Sequence, residues 1–356
     1  MKRLCKEWQS KPIMGEEKTT MKTLGKRLTL RHTLAGVVMA AGLVSGAQAQ
    51  DITLRYGHMN APNSIAGKQA EWLADAIKEK TDGDIAVQVF PSSQLGKLQE
   101  LAEGVSTGTI ALSHNTAGAI GSLHPPFAAF DTPYLYRDVD HLMSVVDTSS
   151  PLMTRLNEEL VDAAGVRVLY GFYFGSRNLT ADRPVTHPDD LDGVKIRSIP
   201  FPIYMAAVEG LGAVPVPVDW SEVPTALATG VVSGQENPVN VAVSHKLHEV
   251  QSHMMETGHI IAAEMVLINE GVWQGLSDEH QSALQTAADD VRERATQYVL
   301  ESEREDTETL REQGMTIIGP DEGLDIEAFR TSVEARVMEE FADQYGEFYS
   351  QVEAIE

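Results

Sequence analysis

Strand-like and helix-like hydrophobic patterns alternate along the first part of the chain. Ile52, Leu54 and Tyr56 alternate with polar residues in ITLRYG, apolar residues recur at helical spacing over 64–81, and DIAVQVF alternates again. A second helical pattern in LQELAEGVSTG and an apolar TIAL complete the order β-α-β-α-β. Strands that are separated by helices pair in parallel and are covered by those helices, so the pattern predicts an α/β fold.

The middle of the chain repeats this scheme. GVRVLYGFY, GVKIRSI and AVPVPV have strand patterns, and helical patterns follow over 203–211 and 221–229. Further on, a one-sided helical pattern begins at Leu284 and continues to about Gln313, where Gly314 can end the helix. We expect this long helix to brace two lobes.

The first 49 residues have the features of a leader that contains a signal peptide over 21–49. Basic residues precede the apolar stretch LAGVVMAAGLVSG, which is too short to span a bilayer, and AQA at 47–49 is a small-x-small cleavage site. We therefore expect export, with Gln50 as the mature amino terminus. The remaining 307 residues are too many for one ordinary core, which again predicts two lobes.

The charge of the mature chain excludes several classes of partner. The leader holds nine basic and three acidic residues, so 19 basic and 49 acidic residues remain, with a formal charge of −30. Such a chain repels nucleic acid and anionic membrane surfaces. The single cysteine, Cys5, lies in the leader, so the mature chain has neither a disulfide nor a thiol nucleophile. No other stretch approaches about 18 apolar residues, and we expect no membrane insertion.

Motifs of catalysis and metal binding are missing from the sequence. It contains no G-x-S-x-G, no Walker loop, no G-x-G-x-x-G after a strand and no H-E-x-x-H. His245, His248 and His253 lie close together in SHKLHEVQSH, but no cysteine or further ligand at zinc-like spacing accompanies them. The sequence therefore predicts no catalytic residue, no metal site and no cofactor.

Two arginines lie in stretches that otherwise have strand patterns. Arg177 is in GSRNLT, and Arg197 is in GVKIRSIP, where Lys195 shares its face of the strand. Charged residues on one strand face are typical of a solvated surface. The later SGQENP, with Gly234 and Pro238 at its ends, has the composition of a polar turn. Local pattern alone thus places both arginines on the surface.

The order and spacing of several motifs favour a different interpretation. GSRNLT, LDGVKIRSIP, LGAVPVPVDWSEVPTALATGVVSGQENP and HEVQSHMMETGH follow VFPSSQLGKLQELAEGVSTGTIAL, and together they resemble the substrate-binding proteins of TRAP transporters, the DctP family. The resemblance runs from about Thr53 to Asp290. It implies a two-lobed periplasmic-binding-protein fold with a ligand cleft between the lobes. Lobe 1 is expected over 50–173 and lobe 2 over 174–261, and 262–356 return to lobe 1.

The resemblance also implies a set of ligand-binding residues. Arg197 matches the arginine that binds the ligand carboxylate, Arg177 and Asn237 complete the anion clamp, and Trp220 packs on the ligand. A guanidinium suits this role because its rigid fork of donors matches a carboxylate. Polar residues of the amino-terminal part are candidates for contacting the rest of the ligand: His58, Asn60, Glu100 or its neighbour Gln99, His114 and Asn115.

The expected function is that of a monomeric periplasmic receptor that performs no chemistry. It binds an organic acid anion, such as a C4-dicarboxylate, a hydroxy acid or a sugar acid of the uronate kind, and delivers it to a TRAP permease in the membrane. One alternative is a receptor for an ABC importer or a sensor. A pair of TRAP permease genes beside this gene would distinguish the expected receptor from that alternative. The other is an exported lyase or hydrolase of sugar acids, which would not return its ligand unchanged.

Overall fold

The computed structural model describes residues 52–355 of the chain; the leader predicted over 1–49, with its signal peptide and cleavage site, lies outside them. The strands in this part are β1 (Ile52–Gly57), β2 (Ile85–Phe90), β3 (Leu112–Thr116), β4 (Val166–Ala181), β5 (Lys195–Ser198), β6 (Val214–Pro217), β7 (Gly234–Pro238), β8 (His253–Asn269) and β9 (Thr316–Ile318). The helices are α1 (Ile65–Lys80), α2 (Leu98–Ser106), α3 (Ala117–Ile120), α4 (Val139–Val145), α5 (Pro151–Ala164), α6 (Pro202–Gly210), α7 (Val223–Ala228), α8 (Val239–Ser244), α9 (Glu270–Gln274), α10 (Asp278–Glu312) and α11 (Ile326–Glu353). The predictions of β1, α1, β2 and α6 are confirmed to within a few residues, and α10 ends as predicted but begins at Asp278, earlier than Leu284.

The strands form a mixed sheet in the order β2-β1-β3-β8-β4-β7-β5-β6, with β9 paired to β8. β1 is parallel to β2 and β3, and β5 is parallel to β6 and β7, which confirms the parallel pairing predicted for each half. The two long central strands, β4 and β8, are antiparallel to each other. The fold is therefore α/β with two lobes, joined through this central pair.

The β4–β8 pair passes from one lobe into the other. The first part of β4, up to Phe172, pairs with the end of β8 from Glu264 onward, next to β3. The second part of β4 pairs with the beginning of β8 and with β7. The register shifts between Tyr173 and Gly175, where Gly175 has a φ of 125° and a Cβ would lie 2.7 Å from Cβ of Pro238. Only glycine fits this crossing point, because both the backbone conformation and the close approach exclude a side chain.

The carboxyl-terminal elements contact both lobes. α10 packs against α1 and also against α8, so it braces both lobes as predicted. β9 pairs with the beginning of β8, and α11 packs against α6, where a Cβ on Gly210 would lie 2.6 Å from Cα of Val333. Elements of 262–356 thus contact elements on both sides of the central strand pair. Within the described part of the chain, no helix combines the length and apolarity needed to cross a membrane.

The motif SGQENP forms a buried strand and not the polar turn that its composition predicts. Gln235, Glu236 and Asn237 are all buried in β7, and each finds a hydrogen-bond partner there or on β4. Gly234 is required because a Cβ there would lie 2.1 Å from the Thr180 carbonyl oxygen on β4. Buried polar residues form a strand here because the neighbouring strand supplies their partners.

Candidate functional site

A narrow cavity lies between elements of the two lobes, beside the β4–β8 pair. It is lined by Met59, Asn60, Leu98, Thr116, Phe174, Arg177, Arg197, Ile199, Pro200, Asp219, Trp220, Asn237, Val241 and Glu264. The volume open to the centres of water molecules inside it is about 20 Å³, far below the roughly 300 Å³ at which small-molecule pockets begin. A solute of several carbon atoms therefore requires the lobes to separate and then close around it.

Arg197 is a buried cation that faces this cavity. It lies on β5 with 2% of its surface exposed, and its Nε donates a hydrogen bond of 2.8 Å to the carbonyl oxygen of Val218. The guanidinium carbon lies 5.5 Å from the ring centre of Trp220, within cation–π range. No carboxylate of residues 52–355 forms an ion pair with Arg197, and burial lowers its pKa to about 10. A buried guanidinium without an anionic partner is costly, so the site favours the arrival of an anion.

Local pattern predicted a solvated Arg197, and this prediction is wrong. Lys195, two residues earlier on the same strand, is exposed as expected, whereas Arg197 is buried. The two differ because β5 is only four residues long and its end reaches the cavity, where Trp220 covers the guanidinium. The burial of Arg197 thus results from tertiary contacts that strand periodicity does not contain.

Arg177 also lines the cavity, but it already has an anionic partner. Its Nε and Nη2 donate to the carboxylate of Glu236 at 2.5 and 2.9 Å, and Nη2 also donates to the Glu236 carbonyl oxygen at 2.8 Å. His259 lies 3.2 Å from the same carboxylate. Burial alone would raise the pKa of Glu236, but Arg177 and His259 hold it at about 2. Arg177 is therefore a neutralised cation, and Arg197 is the stronger attraction for an incoming anion.

Three other candidate residues also line the cavity. Asn237 and Trp220 line the cavity from the second lobe, and Asn60 lines it from the first. Trp220 is held edge-on by His245 at 4.7 Å between ring centres, and burial lowers the pKa of this histidine to about 4. His245 thus supports an aromatic wall of the cavity. Among the described residues, no group of three or more potential metal ligands lies together.

His58 and His114 form a neutral pair behind Asn60 and do not line the cavity. Their rings stack at 4.9 Å, and burial lowers the pKa of His58 to about 4 and that of His114 well below its usual range. His114 contacts the Tyr56 hydroxyl at 3.0 Å through Nδ1 and the Asn60 carbonyl oxygen Oδ1 at 2.9 Å through Nε2. Asn60 itself lines the cavity. His114 therefore positions a lining residue.

The structure does not bring Asn115 or Glu100 to the cavity. Side chains alternate along a strand, so Asn115 lies on the opposite face of β3 from His114, where its Nδ2 donates to Ser113. The Glu100 carboxylate is exposed and accepts a 2.8 Å hydrogen bond from the Lys97 backbone at the start of α2. Gln99, its neighbour, is also exposed. The position of these residues in the sequence does not indicate such local contacts.

Glu264 is a cavity residue that the sequence reasoning missed. It lies on β8 with 1% of its surface exposed, and its Oε2 has no hydrogen-bond partner. Burial, and next the nearby Asp131, raise the pKa of Glu264 to about 8. The signal was present in the sequence, since Glu264 is the single charged residue in the apolar run IIAAEMVLI. A charge in a buried strand is rare unless it has a partner or a function.

An ion pair joins the two lobes at the edge of the cavity. Nζ of Lys97, at the start of α2, lies 2.5 Å from Asp219 and 3.6 Å from Glu222, which flank Trp220. The hydrogen bond and charge of Asp219 raise the pKa of Lys97. Because the side chain of Lys97 is 43% exposed, solvent screens this contact and its contribution is small. It connects the elements that must separate when the cleft opens.

Comparison with known proteins shows that the chain is similar to bacterial solute-binding proteins. Residues 56–344 match the family described as DctP, bacterial extracellular solute-binding protein, family 7. The solute-binding protein RD1_1052 of Roseobacter denitrificans is 36% identical over 314 residues, which are 86% of this chain and 94% of the relative. The 2,3-diketo-L-gulonate-binding periplasmic protein YiaO of Escherichia coli is 31% identical over 307 residues, which are 85% of this chain and 90% of the relative.

Two solved structures have the same fold and contain bound acids. The TRAP periplasmic solute-binding protein RD1_1052, with bound L-galactonate, matches with a TM-score of 0.79 and 32% identity over 86% of this chain and 99% of that chain. A TRAP periplasmic solute-binding protein of Polaromonas, with bound D-erythronate, matches with a TM-score of 0.79 and 29% identity over the same shares. Both relatives are thus solute receptors that hold a hydroxylated carboxylate.

Proposed function

The chain belongs to the DctP family of bacterial extracellular solute-binding proteins, the receptor subunits of TRAP transporters, and we propose that it is the periplasmic receptor for a hydroxylated organic acid. The acid binds in the cleft between the lobes. The closed receptor then delivers it to a TRAP permease in the membrane and performs no chemistry on it. The receptor acts as a monomer.

The burial of Arg197 at the cavity without a carboxylate partner in the described part of the chain is the observation that carries this proposal. Arg197 is buried, faces the cavity, and has no carboxylate partner among the described residues. Its Nε is already bonded to Val218, so the two Nη atoms are the donors left for a ligand. Two parallel donors match the two oxygens of a carboxylate. An organic acid thus supplies the missing partner, and lobe closure follows because the exclusion of water strengthens the attraction between the two charges.

The hydroxylated character of the ligand is supported by the composition of the cavity and by the relatives. Asn60, Thr116, Asn237 and Glu264 add polar groups to the wall, which suit hydroxyl groups of a ligand better than an alkyl chain. L-galactonate, D-erythronate and 2,3-diketo-L-gulonate, which the relatives are described as binding, are all oxygen-rich monocarboxylates. Arg177 is already neutralised by Glu236, which favours one ligand carboxylate over two.

The lobe boundaries proposed for this receptor lie between residues 173 and 174 and between 261 and 262. They are supported by the register shift in β4 between Tyr173 and Gly175 and by the change of strand neighbours along β8. Closure around the ligand bends the β4–β8 pair at this point. The bulge and Gly175 allow the bend because they interrupt the regular ladder.

A thermal-shift screen tests the proposed function. The mature chain from Gln50 is heated with L-galactonate, D-erythronate and galacturonate, with the primary amides of these acids, and with neutral sugars. Bound ligand raises the melting temperature by mass action, so at least one hydroxylated acid should stabilise the protein while its amide does not. Stabilisation by neutral compounds only would contradict the proposal. Recovery of the stabilising acid in altered form would identify an enzyme instead of a receptor.

A further inference from the structure

Glu264 presents an unsatisfied carboxyl group to the cavity that holds Arg197. In the strand register, Glu264 lies opposite Thr116 on β3 and Phe172 on β4, in the first-lobe part of the central pair. Its side chain is 1% exposed, and its Oε2 has no hydrogen-bond partner. Arg197, in contrast, comes from the second lobe. A ligand that reaches from Arg197 to the first-lobe wall therefore meets Glu264.

The charged neighbours of Glu264 disfavour its ionised form. Asp131, at the end of the 3₁₀ helix Pro125–Asp131, adds a second carboxyl group nearby. Arg177 on β4 opposes this effect, but its charge is already shared with Glu236 on β7. No ion pair of Glu264 with a cation occurs among residues 52–355. An ionised carboxylate here would be buried beside other acids without a partner, and such a group takes up a proton instead.

The remaining titratable groups near Glu264 are uncharged at neutral pH. Tyr56 on β1 has its pKa raised, first by burial, and it interacts with Glu264 electrostatically. His114 lies two residues from Thr116 on the same face of β3, and burial lowers its pKa well below the usual range. The pKa of Glu264 itself is raised to about 8. At pH 7 this wall of the cavity therefore carries a neutral carboxylic acid.

We propose that Glu264 is a specificity-determining residue that binds a hydroxyl group of the ligand as a neutral carboxylic acid. This inference rests on the proposed function. A carboxylic acid has one O–H donor and one carbonyl acceptor, and a hydroxyl group both donates and accepts. The pair satisfies Oε2, which otherwise remains without a partner. An acid that lacks hydroxyl groups leaves this oxygen unpaired inside the closed cleft, and sites built to bind a hydroxyl reject such analogues strongly.

The test compares L-galactonate with hexanoate, a six-carbon acid without hydroxyl groups. Affinities are measured by calorimetry for the wild type, Glu264→Gln and Glu264→Leu, with Glu256→Gln as a control in the same strand away from the cavity. Glutamine keeps a donor and an acceptor. The ratio of the affinities for L-galactonate and hexanoate in Glu264→Gln should therefore stay within about threefold of the wild-type ratio. Leucine removes both the donor and the acceptor, so in Glu264→Leu this ratio should fall at least about tenfold. Circular dichroism verifies that each variant is folded.

The pH profile separates a neutral acid from a structural role. Ionisation of Glu264 between pH 7 and pH 9 places a negative charge beside an anionic ligand, so wild-type affinity for L-galactonate should fall about tenfold over this range. Glu264→Gln should not show this loss, and Glu256→Gln should show it fully. Titration of Arg197 is common to all three proteins and cancels in the comparison.

Each outcome identifies which claim fails. A wild type that binds L-galactonate, together with a Glu264→Leu variant that keeps the full preference over hexanoate, overturns the role of Glu264 alone. The same conclusion follows if Glu264→Gln retains the wild-type pH profile. A wild type that binds neither L-galactonate nor any acid of the screen overturns the proposed function, and this inference with it.

Discussion

Replacement of Glu236 by glutamine should destabilise the protein strongly, because it leaves Arg177 buried without an anion. Both side chains are only 1% exposed, and two hydrogen bonds of 2.5 and 2.9 Å join the guanidinium to the carboxylate. The loss of one partner from a buried pair costs about 3 to 5 kcal/mol. The lowered pKa of Glu236 gives a similar value, since a shift from 4.5 to about 2 corresponds to about 3 kcal/mol.

Urea denaturation followed by circular dichroism at pH 7 measures this change. The matched control is Glu308→Gln, which breaks an exposed pair with Arg311 whose side chains are 58% and 44% exposed, and which should cost less than about 1 kcal/mol. A double variant, Arg177→Met with Glu236→Leu, should recover most of the loss because neither charge of this pair stays buried. A cost for Glu236→Gln no larger than that of Glu308→Gln would refute the reasoning.

The pH dependence of the same variant provides a second check. Glu236 has a lowered pKa in the folded protein, so its stabilisation is present above pH 4.5 and is lost as the pH falls towards 2. The difference in unfolding free energy between the wild type and Glu236→Gln should therefore be constant from pH 7 to pH 5 and shrink below pH 4.5. A difference that stays constant down to pH 2.5 would show that Glu236 does not act through its charge.

Two further variants probe the walls of the cleft. Trp220→Leu should weaken binding of the ligand acid by about three- to thirtyfold in calorimetry, since it removes an aromatic face that contacts Arg197 at 5.5 Å; an unchanged affinity would exclude Trp220 from the site. Lys97→Met should weaken binding only about two- to fivefold at low salt, because its partly exposed pair with Asp219 is screened by solvent. At 0.5 M NaCl that difference should vanish, and a loss that persists there would point to a role other than charge.

The elements whose hydrophobic residues follow a local period could be predicted from the sequence. α1 and α10 have an apolar stripe on one face, and β1 and β2 alternate, so their patterns persist whatever surrounds them. β7 could not be predicted in this way, because its buried residues are polar. Their partners on β4 are more than 50 residues away in sequence, and periodicity does not contain that pairing.

The same limit applies to the candidate site. The resemblance to a known family indicated Arg197, Trp220, Asn237 and Asn60, all of which line the cavity. It did not indicate that Arg177 is neutralised by Glu236, since the two residues become neighbours only when β4 pairs with β7. Such contacts between distant strands decide which cation remains free for a ligand.

The affinity of a hydroxylated acid for the Arg197→Lys variant tests the central claim most directly. Lysine keeps the positive charge but lacks the fork of donors, so calorimetry should show at least a tenfold loss, about 1.4 kcal/mol, relative to the wild type. Lys195→Arg, on the exposed part of the same strand, is the matched control and should bind as the wild type does. Equal affinity of the wild type and Arg197→Lys would contradict the assignment of Arg197 as the residue that binds the carboxylate.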